Sequence, residues 1–442
     1  MENKYQTGSW SEMWIGAVAV ALLGLMLCPG KTHAQSLIVD RDISLVQKIL
    51  AQRPNPELYY RLGDLYIQKG RQTGDIAYFN LSKKALTKAL AMEPKLAPAR
   101  RHLAFVLYSL HDFSGASSEA ESALKLAPDD SYSYGVLGDA QLETGHYAAA
   151  ATTYSRMVAL KADLYSLSRL SGLETMRANN KAALADLKRA ISDGTTAGEP
   201  PEGIAWAQVR LAQDYFLMGR LSDAAILGHA ALKTYPNYHR ALGLLGQTAA
   251  AQQKFNDAAN YYRRAIAVIP LPQYAAALCA IYQRMGRDND ARQQHQLVEF
   301  IAHLNSLNRV LYNRVLVDYY ADQDIEHRTA LELAVAEFKT RQDIYGQDAL
   351  AWALYRDGQA KVSLPHIRAA IRFQTTDARL YFHAGLIYAA VGDNDLARAS
   401  LARALAINPH FQPILDAFAA HEYALLNAST GSQRVAETIE PQ

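Results

Sequence analysis

Small and apolar residues recur at helical spacing near the end of the chain. One set is three, four and seven positions apart and so lies on one face of an α-helix: Tyr381, Ala384, Gly385 and Tyr388. The next helix is marked in the same way by Ala397, Leu401 and Ala404. Gly392 lies between the two sets, where a helix needs a left-handed residue to end. This pattern predicts a helical hairpin, with Gly385 and Ala404 at the point where the two backbones approach closely.

The same pattern recurs in ten units along the chain. The small position of the first helix is occupied by Gly63, Ala104, Gly138, Gly172, Ala212, Gly246, Cys279, Val317, Ala351 and Gly385. The turn position, seven residues later, carries Gly70, Gly145, Asn179, Gly219, Gly286, Gly358 and Gly392 in seven units. Asn179 fits because asparagine tolerates the left-handed conformation better than other non-glycine residues. The second helices carry alanines at Ala89, Ala123, Ala190, Ala231, Ala265, Ala370 and Ala404.

Prolines mark the boundaries of these units. Pro94 and Pro128 are 34 residues apart, and so are Pro236 and Pro270. A period of 34 residues is that of the tetratricopeptide repeat, and the chain resembles that superfamily over about residues 56–409. The resemblance implies an all-α, right-handed solenoid of about ten helix-turn-helix repeats with capping helices. Within the superfamily, the residues from Asp348 to Phe411 are similar to the end of exported bacterial repeat proteins, a group with no assigned activity.

Departures from the period predict the domain boundaries. We expect a capping helix over 35–55, repeats one to four over 56–193, a surface loop over 194–204, repeats five to ten over 205–410 and a second capping helix over 411–426. Pro200 and Pro201 make the loop the best candidate for a break between subdomains. The first unit has about seven extra residues, from Arg71 to Tyr78, which we expect in its inter-helix turn. The polar tail 427–442 is expected to be disordered.

The N-terminal sequence is typical of an export signal. Residues 14–28 are uncharged and apolar but short for a membrane span. Thr32 and Ala34 are small residues at the positions that an export peptidase reads, so we predict a signal peptide over 1–34 and a periplasmic or secreted protein. Glu2 and Glu12 weaken the positive charge of this region, which leaves an uncleaved membrane anchor as the alternative. Cleavage leaves only Cys279, and a single cysteine cannot form an internal disulfide.

Composition and motifs argue against several classes of function. The 45 basic and 43 acidic residues give a formal charge of +2, which offers no electrostatic case for nucleic acid or an anionic membrane surface. Gly30-Lys31-Thr32 lacks the glycine spacing of a phosphate-binding loop, and His421-Glu422 lacks the second histidine of a zinc protease. Cys279 holds a small packing position and is interpreted as an inert core residue. The sequence therefore predicts no enzyme, no cofactor and no metal site.

Residues three before, and one or four after, the small position are expected to face the concave groove of the solenoid. This groove set comprises Tyr60, Asp64, Arg101, Phe105, Tyr108, Asp139, Gln213, Phe216, Gln247, Asp348, Trp352, Tyr355 and Phe382, with Ile67, Leu142 and Leu386 as further members. Aromatic residues and arginine are typical binding anchors when they are exposed. The alternative is a groove that is filled by another part of the same chain.

The sequence thus favours an exported scaffold or adaptor. An extended peptide or a helix of a periplasmic or outer-membrane protein would lie in the groove, with Gln213 and Gln247 as hydrogen-bonding residues. The alternative is a groove that binds a glycan, in which Phe105, Tyr108, Trp352 and Tyr355 stack on sugar rings. That alternative requires these rings to be exposed along one continuous trough.

Overall fold

A computed structural model describes the backbone of residues 31–307 and 313–437, and this part is helical without any strand. The helices are α1 (Lys31–Gln52), α2 (Pro56–Thr73), α3 (Ala77–Met92), α4 (Ala97–Ser109), α5 (Phe113–Leu126), α6 (Ser131–Glu143), α7 (Tyr147–Leu160), α8 (Leu164–Met176), α9 (Asn180–Thr196), α10 (Pro201–Leu217), α11 (Leu221–Thr234), α12 (His239–Ala251), α13 (Phe255–Val268), α14 (Pro272–Arg284), α15 (Asp288–Leu307), α16 (Asn313–Gln323), α17 (His327–Phe338), α18 (Ile344–Arg356), α19 (Ala360–Ala370), α20 (Ala378–Ala390), α21 (Asn394–Ile407) and α22 (Asp416–Glu437). The expected all-α class is therefore confirmed.

The chain forms two compact units, one ending at Pro94 and the other beginning at Lys95. The loop predicted at 194–204 lies inside the second unit, and it is shorter than expected. Helix α9 continues to Thr196 and α10 begins at Pro201, so residues 197–200 alone connect them. The two prolines start a helix here because proline is favoured in the first helical turn, where its missing N–H has no intrahelical partner.

The first unit is a capping helix on one hairpin. Apolar residues at helical spacing on α1 (Val39, Ile43, Val46 and Leu50) are buried against α2. The extra residues of this repeat lengthen α2 by about a turn rather than enlarging the turn between helices. Gly70 therefore lies within α2, and Gly74 takes the left-handed conformation that we predicted for Gly70, with φ of 69°.

The second unit contains nine further hairpins, from α4–α5 to α20–α21, and each packs on the next along the chain. The predicted second-helix alanines are all buried. Gly385 is in contact range of Leu401, where a Cβ would lie 2.6 Å from Leu401 Cγ. Cys279 is also buried, and its Sγ lies 3.4 Å from the carbonyl oxygen of Ala291. The chain is thus a repeat solenoid in which close helix packing requires small residues.

Five of the predicted turn glycines take positive φ as expected: Gly145, Gly219, Gly286, Gly358 and Gly392. The fourth repeat differs, because Ala178 has φ of 60° while Asn179 has φ of −84° and precedes α9. The true small position there is Ser171, which is fully buried and donates a hydrogen bond to the carbonyl oxygen of Ala183, 2.9 Å away. The prediction of Gly172 and Asn179 was therefore one residue too late.

The two ends of the chain extend the predicted capping helices. Helix α22 continues to Glu437, so the tail expected to be disordered from 427 is helical through that residue, and 438–442 lie outside the described residues. Residues 1–30 of the predicted signal peptide also lie outside them, and 31–34 begin α1. Among the described helices, none is long and apolar enough to cross a membrane.

Candidate functional site

The second unit contains a half-open interior cavity of about 480 Å³. Its walls come mainly from the first helices of four successive repeats, which are α10, α12, α14 and α16. Arg379, at the start of α20, and the connection His410–Pro413 between α21 and α22 complete the lining. We call that connection the covering segment, because it lies over the cavity although it is far away in sequence.

The residues that line the cavity occupy two helical registers, and the sequence predicted only one of them. Gln213 and Gln247, both members of the groove set, line the cavity, and each lies one position after the small residue of its helix. Asp318 occupies the same register after Val317 and was missed because that repeat is degenerate. Four further lining residues lie six positions before the small position, a register that the sequence did not predict: Trp206, Arg240, Gln273 and Arg379. The lining stripe is therefore about one helical turn longer towards the N-terminus of each helix than predicted.

Two carboxylates of α16 organise the polar side of the cavity. Asp318 Oδ2 accepts a hydrogen bond from Arg379 Nη1 at 2.7 Å. Asp322 Oδ1 accepts from Trp352 Nε1 at 3.0 Å, and its Oδ2 accepts from Gln412 Nε2 of the covering segment at 3.1 Å. Burial, followed by the negative charge of Asp318, raises the pKa of Asp322 to about 6.

Six members of the groove set are core residues and do not face an open groove: Ile67, Phe216, Asp348, Trp352, Phe382 and Leu386. Trp352 has no exposed surface, since it stacks on Tyr355 at a centroid distance of 5.1 Å and on His383 at 4.1 Å. His383 Nδ1 lies 2.9 Å from Asp348 Oδ1.

Phe382 is covered because Phe411 of the covering segment packs on it at 5.3 Å. The prediction fails for Trp352 and Phe382 because the next repeat and the covering segment of the same chain cover them. Phe216 is instead packed in the core with Leu187 and Leu211. The trough of exposed rings that the glycan alternative requires is not formed, because Trp352 is enclosed.

The groove-set residues of repeats two and three are half-buried and bonded to neighbouring helices. Asp139 accepts hydrogen bonds from Arg169 Nε at 2.8 Å and from the Tyr154 hydroxyl at 2.7 Å. The remaining contacts are those of Arg101 with Asp130, Phe105 with Tyr132, and Tyr108 with Glu143. These side chains therefore fix helix positions within the array. Tyr60 and Asp64 lie on α2 of the first unit, where Asp64 accepts from Arg61 at 2.8 Å.

Contacts between residues 157 to 199 positions apart join early and late repeats of the second unit. The Arg341 guanidinium pairs with Glu143, and the backbone N–H of Gln342 donates to the carbonyl oxygen of Glu143 at 2.8 Å. The N–H of Ile344 donates to the Tyr147 hydroxyl at 2.7 Å. Further closing contacts join Thr375 to Met176, Asn180 to Thr376 and Gln253 to His410. The turns of the early repeats thus bind the connections between the late repeats.

The cavity shows no arrangement suited to a metal. Among the residues that the structure describes, no group of three or more histidine, cysteine, aspartate or glutamate side chains could hold a metal ion. The side chains at the cavity instead offer hydrogen bonds, charge and apolar surface, which suit non-covalent binding.

Family models of the tetratricopeptide repeat match residues 102–164, 209–275 and 378–411. This chain contains tetratricopeptide repeats. Such repeats generally bind protein partners and generally act as non-catalytic scaffolds. No curated protein matches the chain by sequence.

Several solved structures are similar to this tetratricopeptide repeat chain. A thermophilic tetratricopeptide repeat protein of Thermus thermophilus is 20% identical over 45% of this chain and 99% of its own, with a TM-score of 0.38. Human IFIT1, solved as a dimer with m7Gppp-AAAA, is 14% identical over 76% of this chain and 77% of its own, with a TM-score of 0.48. Yeast Tom70 is 12% identical over 96% of this chain and 97% of its own, with a TM-score of 0.38. These values are too low for any function to be carried over.

Proposed function

We propose that this protein is an exported scaffold of the bacterial cell envelope and that it binds a short segment of a partner protein in the interior cavity. The observation that carries the proposal is a set of three amide side chains, Gln213, Gln247 and Gln273, which line the cavity from the first helices of three successive repeats, α10, α12 and α14. An amide both donates and accepts hydrogen bonds, so these side chains are suited to the N–H and carbonyl groups of an extended backbone.

The remaining lining supports a peptide as the ligand. Val209, Ala276 and Ala277, which are only half-buried, provide apolar surface in the same cavity. A volume of about 480 Å³ lies within the usual range for ligand sites, roughly 300–1,000 Å³, and accommodates only part of a partner chain. The proposal therefore concerns a few residues of the partner rather than a whole domain.

Export is the second part of the proposal, and the sequence supports it. The apolar stretch 14–28 and the small residues Thr32 and Ala34 have the pattern of a cleaved signal. We expect the mature chain in the periplasmic fraction, with a new N-terminus at Gln35 by mass spectrometry. An intact N-terminus in the cytoplasmic fraction would contradict this part.

Site-specific crosslinking in cells tests the binding role. A diazirine amino acid replaces Gln247 in the cavity or, as the control, Ile226, which is 66% exposed on α11. We expect one partner to be crosslinked from position 247 and not from position 226. We expect Ala277→Trp, which places an indole ring in the cavity, to abolish the product. A product that persists in the Ala277→Trp background would place the partner elsewhere.

A further inference from the structure

The cavity contains buried hydrogen-bond acceptors that lack donors. Among the lining residues, two buried side-chain atoms make no hydrogen bond within the described structure, namely Asp318 Oδ1 and Gln273 Oε1. Both are acceptors, and they come from different helices, α16 and α14. A buried acceptor without a donor is unfavourable. A ligand that brings donors to these two atoms therefore has a more favourable binding free energy than a ligand that brings acceptors.

The electrostatic environment of Asp318 has an excess of negative charge. Four carboxylates, those of Asp318, Asp322, Asp348 and Asp377, act on the guanidinium of Arg379, and His383 is paired with only one of them, Asp348. Asp318 is already paired with Arg379 through Oδ2, which leaves Oδ1 for another donor. A positively charged group is therefore favoured at this wall over a neutral group of the same shape.

Other cations at the cavity lie on different helices. Arg210, on α10, faces the buried carboxylate of Asp214, and Arg240, on α12, is exposed. Neither helix carries Asp318 or Gln273. These two guanidinium groups are suited to carbonyl oxygens of a peptide, whereas the α16 wall is suited to donors.

A side chain of the covering segment already donates a hydrogen bond to a carboxylate of α16. Gln412 extends from that segment and donates its amide hydrogen to Asp322 Oδ2 at 3.1 Å. Asp318 lies one helical turn before Asp322 on α16. A donor group on a neighbouring segment can thus reach the next carboxylate along the helix.

We propose that the partner segment inserts a lysine or arginine side chain into the cavity, where its ammonium or guanidinium group donates to Asp318 Oδ1 and Gln273 Oε1. This inference rests on the proposed function, because it names the chemistry of the segment that the cavity binds. The positive charge would be held by hydrogen bonds and an ion pair, without a covalent step.

A selection from a library of random peptides displayed on phage tests this inference on the full chain. Peptides that bind the wild type but not Ala277→Trp are collected and sequenced. We expect a lysine or arginine at one fixed position among them. Replacing that residue by citrulline, which keeps the shape of arginine but not its charge, should weaken binding about tenfold, which corresponds to about 1.4 kcal/mol.

Asp318→Asn provides the second comparison. In this variant we expect the arginine and citrulline peptides to bind equally, whereas Asp129→Asn, on the exposed surface between α5 and α6, should keep the preference for arginine. If Asp318→Asn does not fold, the ratio of the affinities of the arginine and citrulline peptides for the wild type still tests the inference.

The outcomes separate the two proposals. Cavity-dependent peptides that lack a fixed basic residue, or that bind equally with citrulline, overturn the inference and leave the proposed function standing. A library in which every peptide binds wild type and Ala277→Trp alike overturns both. A fixed basic residue whose preference disappears in Asp318→Asn supports both.

Discussion

At the scale of single residues, the closest approach of two helices in a repeat depends on a missing side chain. A Cβ atom on Gly138 would lie 2.4 Å from Cε1 of Tyr154. That ring cannot move away easily, because its hydroxyl donates to Asp139 at 2.7 Å and the residue is buried. The sequence predicted the small position at Gly138, since it repeats through the chain, but it did not predict which ring fills the space.

Gly138→Ala should therefore destabilise the second unit by about 1–3 kcal/mol, the usual cost of overpacking a core. The matched control is Gly172→Ala on α8, where the added Cβ would meet only the end of the Arg210 side chain, at 3.3 Å. Alanine favours a helix over glycine by about 1 kcal/mol, so the control should be neutral or slightly stabilising. Urea unfolding of both variants measures this, and equal losses in the two would contradict the packing argument.

The ionisation of Asp322 gives a prediction on pH. Burial and the charge of Asp318 raise the pKa of Asp322 to about 6 in the folded chain, above the ordinary value of 3.8. The folded state thus holds this proton more tightly than the unfolded state. The stabilising contribution of the protonated form is fully present below about pH 4 and is lost as the pH rises through about 6.

The difference in melting temperature between Asp322→Asn and the wild type measures this effect. Asparagine keeps the shape but cannot ionise, so the variant should gain stability relative to the wild type as the pH rises from about 4 to 7. A difference that stays constant over this interval would show that Asp322 ionises with an ordinary pKa.

At the scale of elements, the hairpins and the closing contacts have different origins. Each hairpin follows from residues within one repeat, and the local spacing of small residues and turn glycines was enough to predict ten of them. The closing contacts join the turn after α6 to the connection before α18, as Arg341 with Glu143 shows. No periodic pattern predicts a contact between residues almost two hundred positions apart. The burial of Trp352 and Phe382 was missed for another reason: His383 of the next repeat stacks on Trp352, and Phe411 of the covering segment packs on Phe382.

Glu143→Ala should loosen this closure. Arg341 would keep only its pair with Glu337, at 3.1 Å, and the loss of a charged hydrogen-bond partner at a largely buried site costs about 1.5–3 kcal/mol. Hydrogen exchange should accelerate at the amides of Gln342 and Asp343, which donate to the carbonyl oxygen of Glu143.

The control for this variant is Asp193→Asn, which breaks an exposed pair with Arg189 on α9 and should change stability by less than about 0.5 kcal/mol. Unchanged exchange at Gln342 and Asp343 in Glu143→Ala would contradict the view that this ion pair holds the connection before α18 against α6.

At the scale of the whole molecule, the central claim is that a repeat scaffold binds a partner segment in an interior cavity. The fold class was predictable because the repeat period is written in the sequence. The site was predictable only in part, since Gln213 and Gln247 belong to the register that we used, whereas Gln273, Asp322 and Arg379 lie outside it. The covering segment could not be predicted, because its position depends on the closure of the whole second unit.

The most direct test of this claim uses peptides that are selected for binding to the wild type alone, without any selection against Ala277→Trp. Their affinities for the wild type and for Ala277→Trp are then compared. Tryptophan at position 277, a lining residue, places an indole ring in the cavity, so we predict a loss of affinity of at least about tenfold. The matched control is Ala267→Trp on the exposed face of α13, which should bind like the wild type. Equal affinities of the wild type and a folded Ala277→Trp, for every selected peptide, would contradict the claim that the cavity is the binding site.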